Sequence, residues 1–240
     1  MSNQSSRLSS TVLEAAVRSV GERIAASPDC INSFRLTEHD VFRELAACIL
    51  GGQVTFEQAL AATNRLRDVE VVKAVRSKTR RASLVRGVQN ALRGDLNKCT
   101  GYRFWRTRSV FIVDSAFGIY RDGDGLLPIL RQTKDQKRTR ECVVALAKGI
   151  GPKQASLFLR NVGYGDELAI LDCHVLRFMH YVGLCRELPK SVGNIRAYEA
   201  LERILSIYAR GFGWGLQILD QAIWISMRVA LKMTLCPSLR

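Results

Sequence analysis

Hydrophobic residues recur at three- and four-residue spacing along most of the chain, and this spacing lines one face of an α-helix. Turn signals separate these stretches, among them GG at 51–52, RDGDG at 121–125 and GFGWG at 211–215. Alternating patterns are scarce, and only LAIL at 168–171 could form a short extended piece. We therefore predict an all-α protein with about ten to twelve helices. The predicted helices are residues 11–26, 38–50, 55–66, 69–76, 80–93, 106–121, 125–132, 135–148, 152–162, 173–183, 194–209 and 214–235.

The chain carries a large excess of positive charge. It has 240 residues, with 36 Lys and Arg against 22 Asp and Glu, which gives a net charge of +14. Hydrophobic residues make up 47% of the chain, enough to exclude wholesale disorder. A charge excess of this size on a folded chain favours a polyanionic partner, and we expect nucleic acid. A membrane partner is not predicted, because the chain has no run of about 20 apolar residues.

The N-terminus and the cysteines bear on the compartment. MSNQSSRLSSTVLEAAV lacks the continuous apolar stretch of a signal peptide, so we expect a cytoplasmic protein with access to the nucleoid DNA. Seven cysteines are spread at long spacings, and their odd number favours free thiols. Because no CxxC pair occurs, neither a zinc site nor a cysteine-bound iron–sulfur cluster is predicted.

The stretch LAKGIGPKQASLFLRNVGYGDELAILDCH, residues 146–174, carries the candidate chemistry. Gly149 suits a left-handed position after a helix that ends near Lys148, and Pro152 suits the first position of the next helix. A helix–hairpin–helix turn with Gly149 and Gly151 would expose backbone N–H groups that can cradle a phosphate, whatever the base sequence. On the Gly-Ile-Gly turn alone, a plain corner between two helices remains the alternative.

Two further residues, Lys153 and Asp172, favour a functional site over a plain corner between two helices. Lys153 lies in the first turn of its predicted helix, where the helix dipole and nearby Lys148 disfavour an ammonium and favour the free amine of a nucleophile. Asp172 directly precedes another predicted helix and so occupies its N-cap position. An aspartate there can be a simple cap, but an ionised carboxylate can also stabilise a developing positive charge. A protein that only binds phosphate needs neither residue, so the pair favours an enzyme.

These segments closely resemble the signature of the helix–hairpin–helix DNA glycosylase superfamily. The nearest likeness is to the archaeal-type, second class of 8-oxoguanine DNA glycosylase/AP lyases, with their GIG-K-x-AS-x-FLRN-x-G and AILD-x-H segments. Looser likeness extends to FRELAACIL, YRFWRTRSVFIV and LDQAIW, so that the resemblance covers most of the chain from about residue 35.

The resemblance implies a fold and a mode of binding. The fold would be two-lobed and all-α, with double-stranded DNA bound across the cleft and the target base flipped out. Residues 55–165 would form a central lobe that ends in the helix–hairpin–helix at about 135–162. Residues 1–54 and 166–240 would form the second lobe. The protein would act as a monomer.

The resemblance also implies roles for individual residues. Lys153 would attack C1′ of the flipped nucleotide, expel the base and form a Schiff base, after which β-elimination nicks the strand. Asp172 would stabilise the oxocarbenium-like sugar. No metal or other cofactor would be required. The other matching positions would bind DNA (Lys148, Gly149, Gly151, His174 and the polar wedge Gln53) or line the base pocket (Phe104, Trp224 and Asp220).

Two departures from the family pattern concern the substrate. Cys173 stands where the family usually has arginine, and the chain continues beyond Trp224 with ISMRVALKMTLCPSLR, a longer tail than that class has. The expected substrate is 8-oxoguanine. One alternative is a glycosylase that excises a hypermodified base from phage DNA as antiviral defence. An alternative of another class is a helix–hairpin–helix protein that binds DNA without cutting it.

Overall fold

The computed structural model describes residues 9–26, 36–94, 101–132, 134–189 and 192–235, with side chains up to residue 230. These residues contain helices and no strand, which confirms the all-α prediction. The twelve helices of this described part are α1 (Ser10–Ala26), α2 (Glu38–Leu50), α3 (Phe56–Arg65), α4 (Val71–Arg76), α5 (Arg81–Arg93), α6 (Trp105–Tyr120), α7 (Leu126–Gln132), α8 (Gln136–Leu146), α9 (Pro152–Asn161), α10 (Cys173–Tyr181), α11 (Ile195–Arg210) and α12 (Leu216–Leu235).

Local caps determine where several helices begin. Thr37 before α2 and Thr55 before α3 each form a capping box, in which side chain and backbone satisfy each other's hydrogen bonds. Asn194 caps α11, and Pro152 opens α9, where its missing N–H costs nothing. These four helix starts lie within one residue of the predicted ones.

The end of α8 is one of several helix ends that differ from the prediction by one or two residues. Residues 135–148 were predicted as one helix, but α8 ends at Leu146 and Ala147 is extended, with φ −98° and ψ 122°. The N–H of Lys148 donates to Ser115 Oγ of α6 at 2.8 Å instead of bonding within a helix. Gly149 does adopt the predicted left-handed conformation, with φ +75°, but it lies in the turn and not directly after the helix.

The chain folds into two compact units, Ile31–Gly165 and Met1–Cys30 with Asp166–Arg240. The sequence prediction grouped residues 1–54 with the C-terminal part, whereas the described residues 36–54 belong to the middle unit. The reason is α2, which packs against α3, α6, α7 and α9 of the middle unit. Asn161 of α9 also donates to Glu44 of α2 at 2.7 Å.

Each unit has its own apolar core. In the middle unit, the buried face of α2 includes Val41, Leu45 and Ile49, each fully shielded from solvent. In the unit formed by both chain ends, α12 packs against α1, α10 and α11. Phe178 and Met179 of α10 are fully buried in that second core.

Two further findings concern the membrane and the thiols. Within the described ranges, no helix combines the length and the apolar character that crossing a bilayer requires. Four described cysteines, Cys48, Cys142, Cys173 and Cys185, are free. The cysteines at positions 30, 99 and 236 lie outside the described residues.

Candidate active site

Helices α8 and α9 form the predicted hairpin, and buried contacts join them. Ile150, between the two glycines of the turn, is 6% exposed and anchors the turn in the core. The side chain of Arg140 on α8 is fully buried and donates to Ser156 Oγ on α9 at 3.3 Å. A buried guanidinium is costly to place without partners, so this contact fixes how the two helices meet.

The two glycines of the turn differ in whether the fold requires a glycine at that position. A Cβ on Gly149 would collide with the ring of Phe111, and its positive φ already disfavours any other residue. A Cβ on Gly151 would meet no atom within 4 Å, and its φ of −106° suits any residue. Gly149 is therefore required by the fold, while the space beside Gly151 is open.

Arg108 connects this turn to a second one. Its guanidinium donates to the carbonyl of Gly149 at 3.4 Å and lies over the ring of Phe111, with 5.6 Å between Cζ and the ring centroid. The same guanidinium lies against Gly52, in the turn between α2 and α3. Gln53 follows there with φ +64°, is exposed, and holds a strained conformation that non-glycine residues seldom adopt.

Lys153 lies in the first turn of α9, as predicted, and is partly buried. Its Nζ lies 3.5 Å from Oε1 of Gln154. Burial raises the pKa of the Cys48 thiol well above its usual range and Glu44 adds to this, while the nearby Lys153 lowers it. The thiol beside Lys153 is therefore protonated and does not compete with the amine as a nucleophile.

Asp172 caps α10, also as predicted. Its Oδ1 accepts the N–H groups of His174 and Val175, both at 2.9 Å. Both bonds use the same oxygen, so the cap leaves Oδ2 unused. The carboxylate is partly exposed, and it can therefore cap the helix and meet a substrate at the same time.

His174 shares this helix start. Burial lowers the pKa of its imidazole below the usual value, and Arg177 and Arg228 act in the same direction, while Asp172 opposes them. The imidazole is therefore neutral at pH 7.

The three predicted pocket residues lie in different settings. Phe104 precedes α6, is partly buried, and meets the ring of Tyr102 edge-on at 6.3 Å. Trp224 on α12 is 39% exposed, with the guanidinium of Arg228 over its ring at 4.5 Å. Asp220 is only 3% exposed, and its Oδ2 accepts the N–H of Ile170 at 2.8 Å. One oxygen of the carboxylate that was predicted for the base pocket thus accepts a backbone N–H.

Comparisons with known proteins show the family of this chain. A family model described as 8-oxoguanine DNA glycosylase matches residues 29–214. An 8-oxoguanine DNA glycosylase/AP lyase of Saccharolobus islandicus is 32% identical over 199 residues, which cover 81% of this chain and 87% of the relative. The chain belongs to the 8-oxoguanine DNA glycosylase family.

Solved structures of the family share the fold. The 8-oxoguanine DNA glycosylase of Thermotoga maritima is 29% identical, with a TM-score of 0.60 and coverage of 89% of this chain and 88% of that one. The Methanocaldococcus jannaschii 8-oxoguanine glycosylase/lyase, crystallised with a 15mer DNA containing 8-oxoguanine, is 27% identical, with a TM-score of 0.63 and the same coverage. The all-α helix–hairpin–helix fold expected from the sequence is thus confirmed.

Several side chains that hold the hairpin and the segment before α10 in place were not predicted from the sequence. Arg108 and Arg140 looked like ordinary parts of the basic excess. Glu202 is 1% exposed and accepts the N–H of Ala169 at 2.9 Å. A signal for Glu202 was present, because it continues the buried face of α11 that starts with Tyr198. A carboxylate at an apolar position of a helix indicates a specific buried partner.

We expect Gly149→Ala to destabilise the protein by about 1–3 kcal/mol, because it adds a clash with Phe111 to an unfavourable φ. Gly151→Ala is the matched control and should cost no more than about 1 kcal/mol, the loss at an N-cap. Denaturant unfolding of both variants measures the difference. Equal losses would show that the turn is not held as described.

We expect an NMR titration of His174 to give a pKa below 6.5, because burial disfavours the imidazolium. Asp172→Asn keeps the cap but removes the charge, so the His174 pKa should fall further. Since the unfolded chain binds this proton more readily, His174 lowers stability as the pH falls below about 6.5. A pKa that rises in Asp172→Asn would contradict the placement of the two groups.

Proposed function

We propose that this protein is a DNA glycosylase with AP-lyase activity that excises 8-oxoguanine from double-stranded DNA. The observation that carries the proposal is Lys153, in the first turn of the second hairpin helix of a chain that belongs to this family. The activity named for the Saccharolobus islandicus relative and the 8-oxoguanine DNA bound by the Methanocaldococcus jannaschii enzyme support the same substrate.

Binding of DNA rests on the hairpin and on the charge of the chain. The turn between α8 and α9 presents backbone N–H groups at a helix start, where a phosphate is favoured. Lys148 is exposed beside that turn, and the net charge of +14 favours a polyanion. Gln53, exposed and strained in its turn, is suited to enter the space that a flipped base leaves. One chain supplies all of these groups, so we expect a monomer on DNA.

The chemistry follows from the two residues at the helix starts. The amine of Lys153 forms a bond to C1′ of the damaged nucleotide, and the bond from C1′ to the base breaks. The base leaves with that electron pair and takes up a proton, and the amine loses one. Asp172 stabilises the positive charge that develops on the sugar. Opening of the sugar ring gives the Schiff base, and loss of a C2′ proton then expels the 3′ phosphate.

The two alternatives have less support. A protein that only binds DNA has no need of Lys153 in the hairpin or of a carboxylate with one unused oxygen at Asp172. A hypermodified phage base is disfavoured by the family match and by the named activity of the relatives. Cys173, exposed at the start of α10, is the departure from the family pattern that lies next to the proposed chemistry.

We expect the purified protein to release 8-oxoguanine from a duplex that pairs it with cytosine and to leave an unmodified duplex intact. Lys153→Gln should reduce the excision rate at least about 10³-fold and abolish trapping by borohydride, which reduces the Schiff base to a stable amine. Affinity for the duplex should change little.

Lys148→Gln is the matched control, because it removes an amine from the same hairpin. It should weaken binding and keep trapping. Undiminished trapping by Lys153→Gln would refute the assignment of the nucleophile. A wild-type protein that leaves 8-oxoguanine in place but cuts modified phage DNA would refute the substrate instead.

A further inference from the structure

The segment that leads into α10 runs through the core without helical hydrogen bonds. Ala169 is fully buried and Leu171 is 4% exposed. Buried backbone groups need hydrogen-bond partners, and here no helix can supply them. Side chains of α11 and α12 do so instead.

Two buried carboxylates accept from this backbone. Oε1 of Glu202 accepts the N–H of Ala169 at 2.9 Å, and Oδ2 of Asp220 accepts the N–H of Ile170 at 2.8 Å. Glu202 is 1% and Asp220 3% exposed. Buried carboxylates are costly, and apolar side chains would fill the same space at lower cost. The presence of these two carboxylates therefore indicates that their hydrogen bonds hold the backbone of this segment in one path.

Tyr198 holds the same segment at two points. Its hydroxyl donates to the carbonyl of Ala169 at 2.7 Å and accepts the N–H of Leu171 at 3.0 Å. The residue is fully buried. One phenol thus spans the segment and uses both its donor and its acceptor, so its removal leaves two backbone groups without this partner.

Asp172 is the next residue after this segment. Its own N–H donates to the carbonyl of Ile170 at 2.8 Å, and its side chain caps α10. The carboxylate is thereby held from both sides, by the segment before it and by the helix after it. A misplacement of about 1 Å at a catalytic group can cost about 10²-fold in rate.

We infer that Tyr198 is a positioning residue for Asp172 and that Glu202 and Asp220 complete the set that fixes this carboxylate. The inference rests on the proposed function of Asp172. It assigns the buried polar groups of α11 and α12 a part in base excision, although each of them is buried.

The test is Tyr198→Phe, which removes only the hydroxyl and keeps the ring in the core. Under single-turnover conditions on an 8-oxoguanine duplex, the excision rate should fall about 10- to 100-fold. Affinity for the duplex should change less than about twofold, because Tyr198 acts after binding.

Tyr208→Phe is the matched control on the same helix. The Tyr208 hydroxyl donates to Oε1 of Glu14 at 2.6 Å, so this variant also loses a hydrogen bond within the same unit. It should lower thermal stability and leave the excision rate unchanged. If both variants slow excision equally, the effect is general destabilisation and the inference fails.

A double-mutant cycle with Asp172→Asn tests whether Tyr198 acts through Asp172. In that background, Tyr198→Phe should slow excision little further, since the carboxylate that it positions is already neutralised. Fully additive losses would overturn the inference.

The His174 imidazole gives a readout that does not depend on activity. Its pKa responds to the charge of Asp172, so a displaced carboxylate in Tyr198→Phe should shift it while Tyr208→Phe should not. If the wild-type protein releases no base, the proposed function fails, and this NMR comparison still decides the positioning. An unchanged His174 pKa in Tyr198→Phe would contradict it.

Discussion

Both parts of the candidate site depend on hydrogen bonds to backbone groups that lie between helices and so have no partner within a helix. An all-α chain satisfies most of its buried N–H and C=O groups within helices, so every buried break needs side-chain partners. At the break before α9, Ser115 accepts the N–H of Lys148 and Arg108 donates to the carbonyl of Gly149. At the break before α10, the partners are three buried side chains of α11 and α12. The buried polar residues Ser115, Glu202 and Asp220 thus bond to backbone where helices are interrupted.

Each break leads directly into a residue that we propose for the chemistry. Lys153 follows the hairpin turn by two positions, and Asp172 follows the pinned segment by one. The orientation of a helix determines the direction of a side chain in its first turn. The non-helical segment before the helix determines where the helix begins. The space beside Gly151 is open, whereas a Cβ added at Gly149 would collide with the ring of Phe111. We propose that binding and catalysis depend on these few hydrogen bonds, without any need for the bracing side chains to touch the substrate.

The sequence predicted those features whose causes are local. The apolar spacing located the helices, Pro152 identified the start of α9, and the cap formed by Asp172 followed from its place before CHVLRF. Partners distant in the chain were not predictable in this way. Nothing near Asp220 in the sequence indicated that its carboxylate would accept the backbone N–H of Ile170. The early end of α8 has the same origin, because its cause is a serine on α6.

We propose that this chain excises 8-oxoguanine through the amine of Lys153. Mass spectrometry of the adduct identifies the nucleophile, after borohydride reduction on an 8-oxoguanine duplex and digestion with nuclease and trypsin. Trypsin does not cleave at a modified lysine, so we expect a peptide GIGPKQASLFLR that carries the sugar remnant on Lys153. A remnant on any other residue, or no adduct on this duplex, would contradict it.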